Sequence, residues 1–327
     1  MATRWVRIVG VLILVTASSP DFAFAQGDGP RTHWKGMLTK TNLMSLTYLN
    51  VSSNASPTDP SRTVVPGANF DANLGLLGYS RSFSFFGRAA VGSILWPVGN
   101  LNGEFTSPVT LQDSARGFGN PVLALDVNLF GTPAMRRMPE LLRYEPVFTL
   151  DLVLDVAFPI GEYDSNAPVN IGQNRWYGRI GVPLMGSLTG WVPGRRTTLE
   201  LLPTVWLFGP TGAGTPHDNF LGQTVKNKPL FELEGHVTRD FTESFWGSLD
   251  TVWYYGAEAT IASVSAQNLN DLGVGFTLGY QVTGNLMLTA GYTANVFQRS
   301  TALDLGVFRF NLVFGWHRLL EGINRLD

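Results

Sequence analysis

Glu145-Pro-Val-Phe-Thr-Leu-Asp-Leu-Val-Leu-Asp-Val-Ala-Phe-Pro159 alternates without a slip. Phe148, Leu150, Leu152, Leu154, Val156 and Phe158 fall on one side. Val147, Thr149, Asp151, Val153, Asp155 and Ala157 fall on the other. A period of two is the signature of a β-strand. A tilted strand needs about 9–11 residues to cross a bilayer, and this one is long enough. Its apolar side has an aromatic ring at each end, and its other side carries two carboxylates. That pattern fits a strand with lipid outside and a wet lumen inside. A polar link, Ile160–Asn174, follows, and then a returning strand over Arg175–Leu188. In that strand Trp176, Ile180, Val182 and Leu184 oppose Tyr177, Arg179 and Ser187. Asp151, Asp155 and Arg179 are therefore expected on one inner wall.

The same alternation recurs along the chain. Further strands are expected near Thr39–Tyr48, Asn69–Tyr79, Phe83–Leu95, Asn120–Phe130, Thr197–Phe208, Leu230–Phe241, Phe245–Tyr255, Leu272–Val282, Asn285–Phe297 and Leu305–Trp316. In the second of these, Phe70, Ala72, Leu74 and Leu76 read as lipid-facing and Asp71 as lumen-facing. The total is about twelve, an even number suited to a bacterial outer-membrane barrel. Links at Ser52–Ala68, Pro97–Gly117, Ile160–Asn174 and Gly209–Lys228 are long. Those at Ser80–Ser82, Trp191–Arg195, Asp240–Glu243 and Thr283–Asn285 are short. Such barrels have this asymmetry between outer loops and periplasmic turns. Gly131–Tyr144 is long yet falls on the short side, and reads as a brief helix on the periplasmic face. The fold class is thus all-β, a transmembrane antiparallel up-and-down barrel. A soluble sandwich would turn the apolar faces inward instead. Aromatics at the strand ends and the closed count favour the membrane barrel.

The ends and the composition agree. Arg4 and Arg7 precede a short apolar run, and Ala23-Phe24-Ala25 offers a cleavage site, so residues 1–25 read as a secretory signal peptide. Residues 26–327 read as one barrel domain in the bacterial outer membrane. The chain has no cysteine, which excludes disulfides, thiol nucleophiles and Cys-based metal sites. A net charge of −2 gives no case for nucleic acid as a partner. Charged residues are only 15% of the chain, low against a soluble average near ~25%.

The polar faces hold the functional candidates. Asp126, Asp151, Asp155, Glu200, Glu232, Glu234 and Asp250 are expected in the lumen, with Arg88, Arg179, Arg309 and His236. Such groups either line an aqueous path and set its selectivity or pair across the walls and close it. No cofactor is expected, and an enzyme is not. A lipid hydrolase would need a Ser-His constellation, and no motif surrounds His217, the histidine of a long outer link. Glu232, Glu234 and His236 suit a hydrogen-bond network better than a metal site. His33 lies before the first strand. Pro121, Pro159 and Pro183 lack ladder donors, and a wall kink at one of them would offer a lateral exit. Partners are outer-membrane lipid, lipopolysaccharide and a small solute, with the oligomeric state left open.

Four short motifs add a family likeness: Gly117-Phe-Gly-Asn-Pro121, Ala157-Phe-Pro-Ile-Gly-Glu-Tyr-Asp164, Asn170-Ile-Gly-Gln-Asn-Arg-Trp176 and Trp253-Tyr-Tyr-Gly-Ala-Glu258. In this order they resemble the outer-membrane proteins grouped as transporters of the meta-pathway of phenol degradation. The likeness spans roughly Thr39 to Trp316. It implies a small barrel that admits aromatic or other hydrophobic compounds. The family's Gly-Asp-Pro stands here as Gly119-Asn120-Pro121, and the last strand ends on Trp316 with a tail to Asp327 beyond it. The alternative is a plugged structural or surface-recognition barrel.

Overall fold

The computed structural model describes residues 27–106, 110–209, 225–261, 264–265, 268–296 and 302–318. The expected signal segment, the His217 loop and the tail beyond residue 318 lie outside these. The wall begins with β1 (Asn42–Ser53), β2 (Ala68–Phe85) and β3 (Arg88–Phe105), the last carrying a side strand, β4 (Leu111–Phe118). It continues through β5 (Val122–Phe130), a short helix α1 (Met138–Leu142) and β6 (Phe148–Ala157). β7 (Tyr177–Gly181) and β8 (Leu184–Ser187) are two halves of the next wall strand, and β9 (Thr197–Phe208) follows. β10 (Val225–Asn227) leaves the wall, which resumes with β11 (Leu230–Asp240) and β12 (Phe245–Gly256). β13 (Ala259–Ile261) and β14 (Val264–Ser265) join β10 in a small separate sheet. β15 (Leu269–Thr283), β16 (Leu286–Asn295) and β17 (Leu305–Trp316) complete the circuit.

β17 pairs with β1 in antiparallel register, Met44 opposite Phe314, and β11 pairs with β9. Among the described residues this closes an antiparallel barrel of twelve wall strands, counting β7 and β8 as one. Closure leaves no ladder edge facing lipid. The outer surface is a continuous apolar belt that includes Met44, Leu46, Leu154, Leu201, Val274, Phe276 and Phe310. Rings ride at its margins: Phe314 stacks on Trp316 at 6.0 Å at one end, and Phe158 meets Trp176 at 5.0 Å at the other. No helix among the described residues is long and apolar enough to cross a membrane.

β2 corrects the facing assigned from alternation. Phe70, Ala72, Leu74 and Leu76 are buried inside the barrel, and Asp71 is exposed outside it. Along the outward row the polar Asn69, Asp71 and Asn73 give way to Leu77 and Tyr79; along the inward row the apolar residues give way to Ser80 and Ser82. The 18-residue strand is longer than the bilayer requires. Its outer half stands in water and behaves like a soluble barrel, apolar within. The turn after it also differs from expectation. It falls at Phe86-Gly87, whose φ angles of 48° and 82° suit a two-residue hairpin turn with both residues left-handed, and Ser80–Ser82 remain in the strand. Pro97–Phe105 continues β3, so most of the expected outer link is a protruding hairpin with β4.

Pro121 and Pro159 lie at strand ends, beyond β4 and β6 respectively. Pro183 does not: with Val182 it splits the wall strand between β7 and β8. Gly131–Tyr144 contains α1, as its composition suggested. It also meets the N-terminal segment, where Thr39 N–H donates to the Met135 carbonyl at 2.8 Å.

Candidate functional site: the lumen and its N-terminal segment

The lumen has two storeys. In the outer half, Leu49, Val51, Phe70, Leu74, Leu76, Leu101, Trp206, Tyr254 and Val307 belong to one apolar cluster inside the barrel. Val169 and Ile171, from the outer link after β6, pack into the same cluster. The hydrophobic effect folds that link into the mouth. Burial of the Tyr177, Trp206 and Tyr254 rings gives this storey an aromatic lining as well as an aliphatic one.

The family-like motifs meet at this mouth. The Asn120 side-chain oxygen accepts from Gly161 N–H at 3.2 Å and from Gln173 N–H at 3.3 Å. Its amide donates to the Arg175 carbonyl at 3.3 Å. Gly119, Gly161 and Gly172 stack so closely that a Cβ on Gly172 would stand 2.6 Å from the Gly161 carbonyl carbon. Arg175 then reaches across the opening to Asp59 and, at 2.6 Å, to Asn227. The motifs thus build a rim.

The inner half is charged, and the chain's own N-terminal segment fills it. Residues 27–41, without regular strand or helix, run inside the barrel to the start of β1. Asp28 is fully buried; its carboxylate meets Arg179 Nη2 at 2.7 Å and His33 Nε2 at 2.9 Å. Its N–H donates to Glu234 at 2.9 Å, and its carbonyl accepts from Arg309 at 3.0 Å. Arg31 pairs with Asp240, its N–H donates to Glu200 at 2.8 Å, and its guanidinium lies 4.5 Å from both the Trp34 and Trp246 rings. His33 bridges Asp28 to Asp126, at 2.9 Å on each side. Lys35 sits between Asp126 at 2.7 Å and Asp151 at 2.9 Å.

Six of the eleven residues picked from sequence therefore touch this segment directly: Asp126, Asp151, Arg179, Glu200, Glu234 and Arg309. Four more support it. Asp155 stands opposite Arg179 in the ladder and pairs with it. Asp250 accepts from His236 Nδ1 at 2.8 Å and from the Ser248 and Thr277 hydroxyls at 2.6 Å each. His236 in turn stands 3.4 Å from Glu234, and Glu232 accepts from Trp206 Nε1 at 3.1 Å. Arg88 is the correction. It shares the outward row of Ile94 and Trp96 and starts β3 beside the periplasmic link, backbone-bridged to Pro133. The displaced turn explains this: a strand starting at Phe83 would have put Arg88 well inside the wall.

Electrostatics fix the charge state of the segment. Burial alone would push the His33 imidazole towards neutrality, but hydrogen bonds to Asp126 and Asp28 outweigh it and raise its pKa to about 10. Burial likewise opposes ionisation of Asp28, yet Arg179 and His33 hold its carboxyl below the usual range. Lys35, buried too, is held protonated by Asp126 and Asp151. The arrangement is a compensated network: the histidines at 33 and 236 each face carboxylates. Among the described residues no cluster of His, Cys, Asp and Glu could hold a metal ion. Space remains beside the segment. A small cavity of about 30 Å³, lined in part by Gly27, Asp250, Thr277, Gly291, Thr293 and Arg309, lies between it and β15 and β16.

Sequence reasoning missed the segment because it has no periodicity. One signal was present: the wall candidates count seven carboxylates against three arginines and one histidine. A dry acidic wall needs cations from elsewhere, and Arg31, His33 and Lys35 supply them.

Comparisons with known proteins agree with the fold. The structure is similar to an outer-membrane channel from Pseudomonas putida F1, with TM-score 0.64 and 11% identity over 89% of this chain and 99% of that one. It also matches the β-domain of the Bordetella autotransporter BrkA, with TM-score 0.49 and 9% identity over 85% of this chain and all of that one. A search of the curated proteins finds no match. The barrel is one of the bacterial outer membrane. The family described as "Putative MetA-pathway of phenol degradation" matches residues 53–310. With most of its length covered, the chain belongs to that family.

Proposed function

We propose that this protein is an outer-membrane channel for small apolar or aromatic solutes, closed at its periplasmic half by its own N-terminal segment. The observation that carries the reading is the two-storey lumen. A water-filled general pore has no use for an outer storey lined by Phe70, Leu74, Leu76, Leu101, Tyr177 and Trp206. Such a lining favours solutes that gain free energy on leaving water, at about 25 cal/mol per Å² of apolar surface. The family's link to phenol degradation supports the same solute class. Below, the path narrows to the space beside residues 27–35. Passage there requires the segment to shift.

The test is solute flux into liposomes holding the purified barrel, ranked among phenols, alkanes and sugars. Phenols and alkanes pass faster than sugars of similar size if the outer storey selects. Removal of residues 27–35 raises every rate. No flux for any solute, with and without the segment, would refute the channel. A second reading keeps the barrel permanently plugged, with its loops as the working surface. It draws on the density of buried ion pairs around Asp28, Arg31 and Lys35, and predicts flux only after truncation.

A further inference from the structure

The periplasmic rim carries a cluster of charge that the lumen does not use. Arg81, Asn42 and Trp316 stand side by side in one cross-strand row over β2, β1 and β17. The next row into the belt holds Tyr79, Met44 and Phe314, all exposed on the outer wall. The wall thus passes from apolar to charged within one row. Tyr79 ties the two rows together: its hydroxyl donates to Asn42 at 2.9 Å, and its ring lies 6.4 Å from that of Trp316. Tyrosine and tryptophan rings with this setting mark the headgroup level of a bilayer.

A pocket of about 970 Å³ opens at this corner. Separate stretches of chain enclose it, and hydrogen bonds join them. Thr39 N–H donates to the Met135 carbonyl and Lys40 N–H to the Ser82 carbonyl, both at 2.8 Å. His317 Nε2 lies 3.0 Å from the Thr39 carbonyl. The site is therefore formed by the fold itself, as ligand pockets usually are.

The lining is one-sided in charge. It includes Lys40, Arg81, Arg136 and Arg318, all exposed, and among the described residues no carboxylate. Glu140 accepts from the Arg136 N–H at 2.8 Å, but its ion pair is with the Arg137 side chain. The whole chain stands at −2, so the cations here are a local excess. Gathered like charges repel one another and attract an anion. Lys40 also holds a left-handed backbone, with φ 72°, where glycine fits at no steric cost. Its charge, not its conformation, accounts for a lysine at that turn.

We propose that this corner binds one anionic phospholipid of the periplasmic leaflet, with its phosphate among Lys40, Arg81 and Arg136 and an acyl chain along Met44, Tyr79 and Phe314. Guanidinium forks match pairs of phosphate oxygens. The apolar row directly beside the cations favours a lipid over a free anion, because only a lipid uses both. The bound phosphate bridges the wall at Arg81, the link of residues 131–144 at Arg136, and the fixed end of the N-terminal segment at Lys40. The site does not depend on whether the lumen conducts.

Native mass spectrometry of the full-length barrel, released from mild detergent, tests this with phosphatidylglycerol and phosphatidylcholine of matched chains. The parent retains phosphatidylglycerol in preference to phosphatidylcholine. Lys40→Gln with Arg81→Gln lowers that preference by about 25-fold, at about fivefold per cation. Arg136→Gln with Arg318→Gln acts in the same direction and guards against a misfolded first variant, while heat-dependent gel mobility reports the barrel. Lys226→Gln with Lys228→Gln, which removes the same charge beside β10, changes nothing. Equal retention of the two lipids by the parent, or an unchanged preference in both rim variants, would overturn the site. Displacement of phosphatidylglycerol by millimolar inorganic phosphate would assign the corner to a free anion and overturn the lipid. Binding of a polyglutamate peptide without any lipid preference would assign it to an acidic protein surface, with the same result. None of these outcomes reads flux, so the channel reading stands or falls separately.

Discussion

Asp28→Ala isolates the ion pairs that hold the N-terminal segment in place. The side chain is fully buried and meets Arg179 at 2.7 Å and His33 at 2.9 Å. Removing one partner of a buried pair costs about 3–5 kcal/mol. The lower end applies here, because Arg179 keeps Asp155 and His33 keeps Asp126. The backbone bonds of residue 28 to Glu234 and Arg309 survive the change. Both lost contacts join the segment to the wall or to itself, so the cost falls on docking and not on the barrel. At about 1.4 kcal/mol per tenfold, ~3 kcal/mol shifts the docked-to-released ratio by roughly a hundredfold. The assay uses the cysteine-free chain: a single Pro30→Cys reports release by its rate of maleimide labelling, and single-channel recording reports open time. Asp28→Ala speeds labelling and lengthens the open state, whereas the barrel's heat-dependent gel mobility stays the same. An unchanged labelling rate would refute the claim that these pairs hold the segment.

Three further expectations follow from the same geometry. His33 is raised from 6.5 to about 10 when docked, so its contribution is complete below pH 6.5 and is lost as pH rises through about 10, by about 1.4 kcal/mol per unit across that window; channel open time rises over the same range, and His33→Gln removes the dependence. Arg31→Lys keeps the charge but loses the planar stacking between Trp34 and Trp246, each 4.5 Å away; it loosens the segment by about 1–2 kcal/mol, read as faster labelling at residue 30. Gly172→Ala drives a methyl to within 2.6 Å of the Gly161 carbonyl carbon; such overpacking costs about 1–3 kcal/mol and appears as protease cleavage in the 158–176 link at temperatures where the parent resists.

How far the sequence reaches depends on where a residue sits relative to the membrane. β6 was legible throughout, since its apolar row faces outward and its carboxylate-bearing row faces inward along its whole length. β2 was not, because it crosses from membrane to water and the apolar row changes sides between Leu76 and Leu77. Alternation reports two faces and does not say which is inside. Membership of the wall was legible for Asp155 and Arg179, because neighbouring strands joined by one link have a narrow range of registers. Their use was not, because the partner, Asp28, lies 151 positions from Arg179 in a segment without periodicity. Asn120 and the glycines at 119, 161 and 172 were recognisable within their motifs, yet their convergence at one rim follows only from the closed register.

The two storeys place opposite demands on one tube, and the N-terminal segment reconciles them. An apolar outer storey excludes water, which raises the cost of any unpaired charge below it. The wall nevertheless carries Asp126, Asp151, Glu200 and Glu234 there. An apolar plug would leave those carboxylates buried and uncompensated, and would pack irreversibly against the outer storey. A plug of Asp28, Arg31, His33 and Lys35 instead satisfies each wall charge while docked. When it leaves, water can replace it at every contact. The network is worth much less as net stability than its number of pairs suggests, because each pair gives up hydration on both partners. That near-balance is the property a movable closure needs. The proposed closure also fits how the segment is joined to the wall: residues 28–35 bond charged wall side chains, and bonds from backbone to backbone begin only at Thr39 and Lys40, at the Met135 and Ser82 carbonyls.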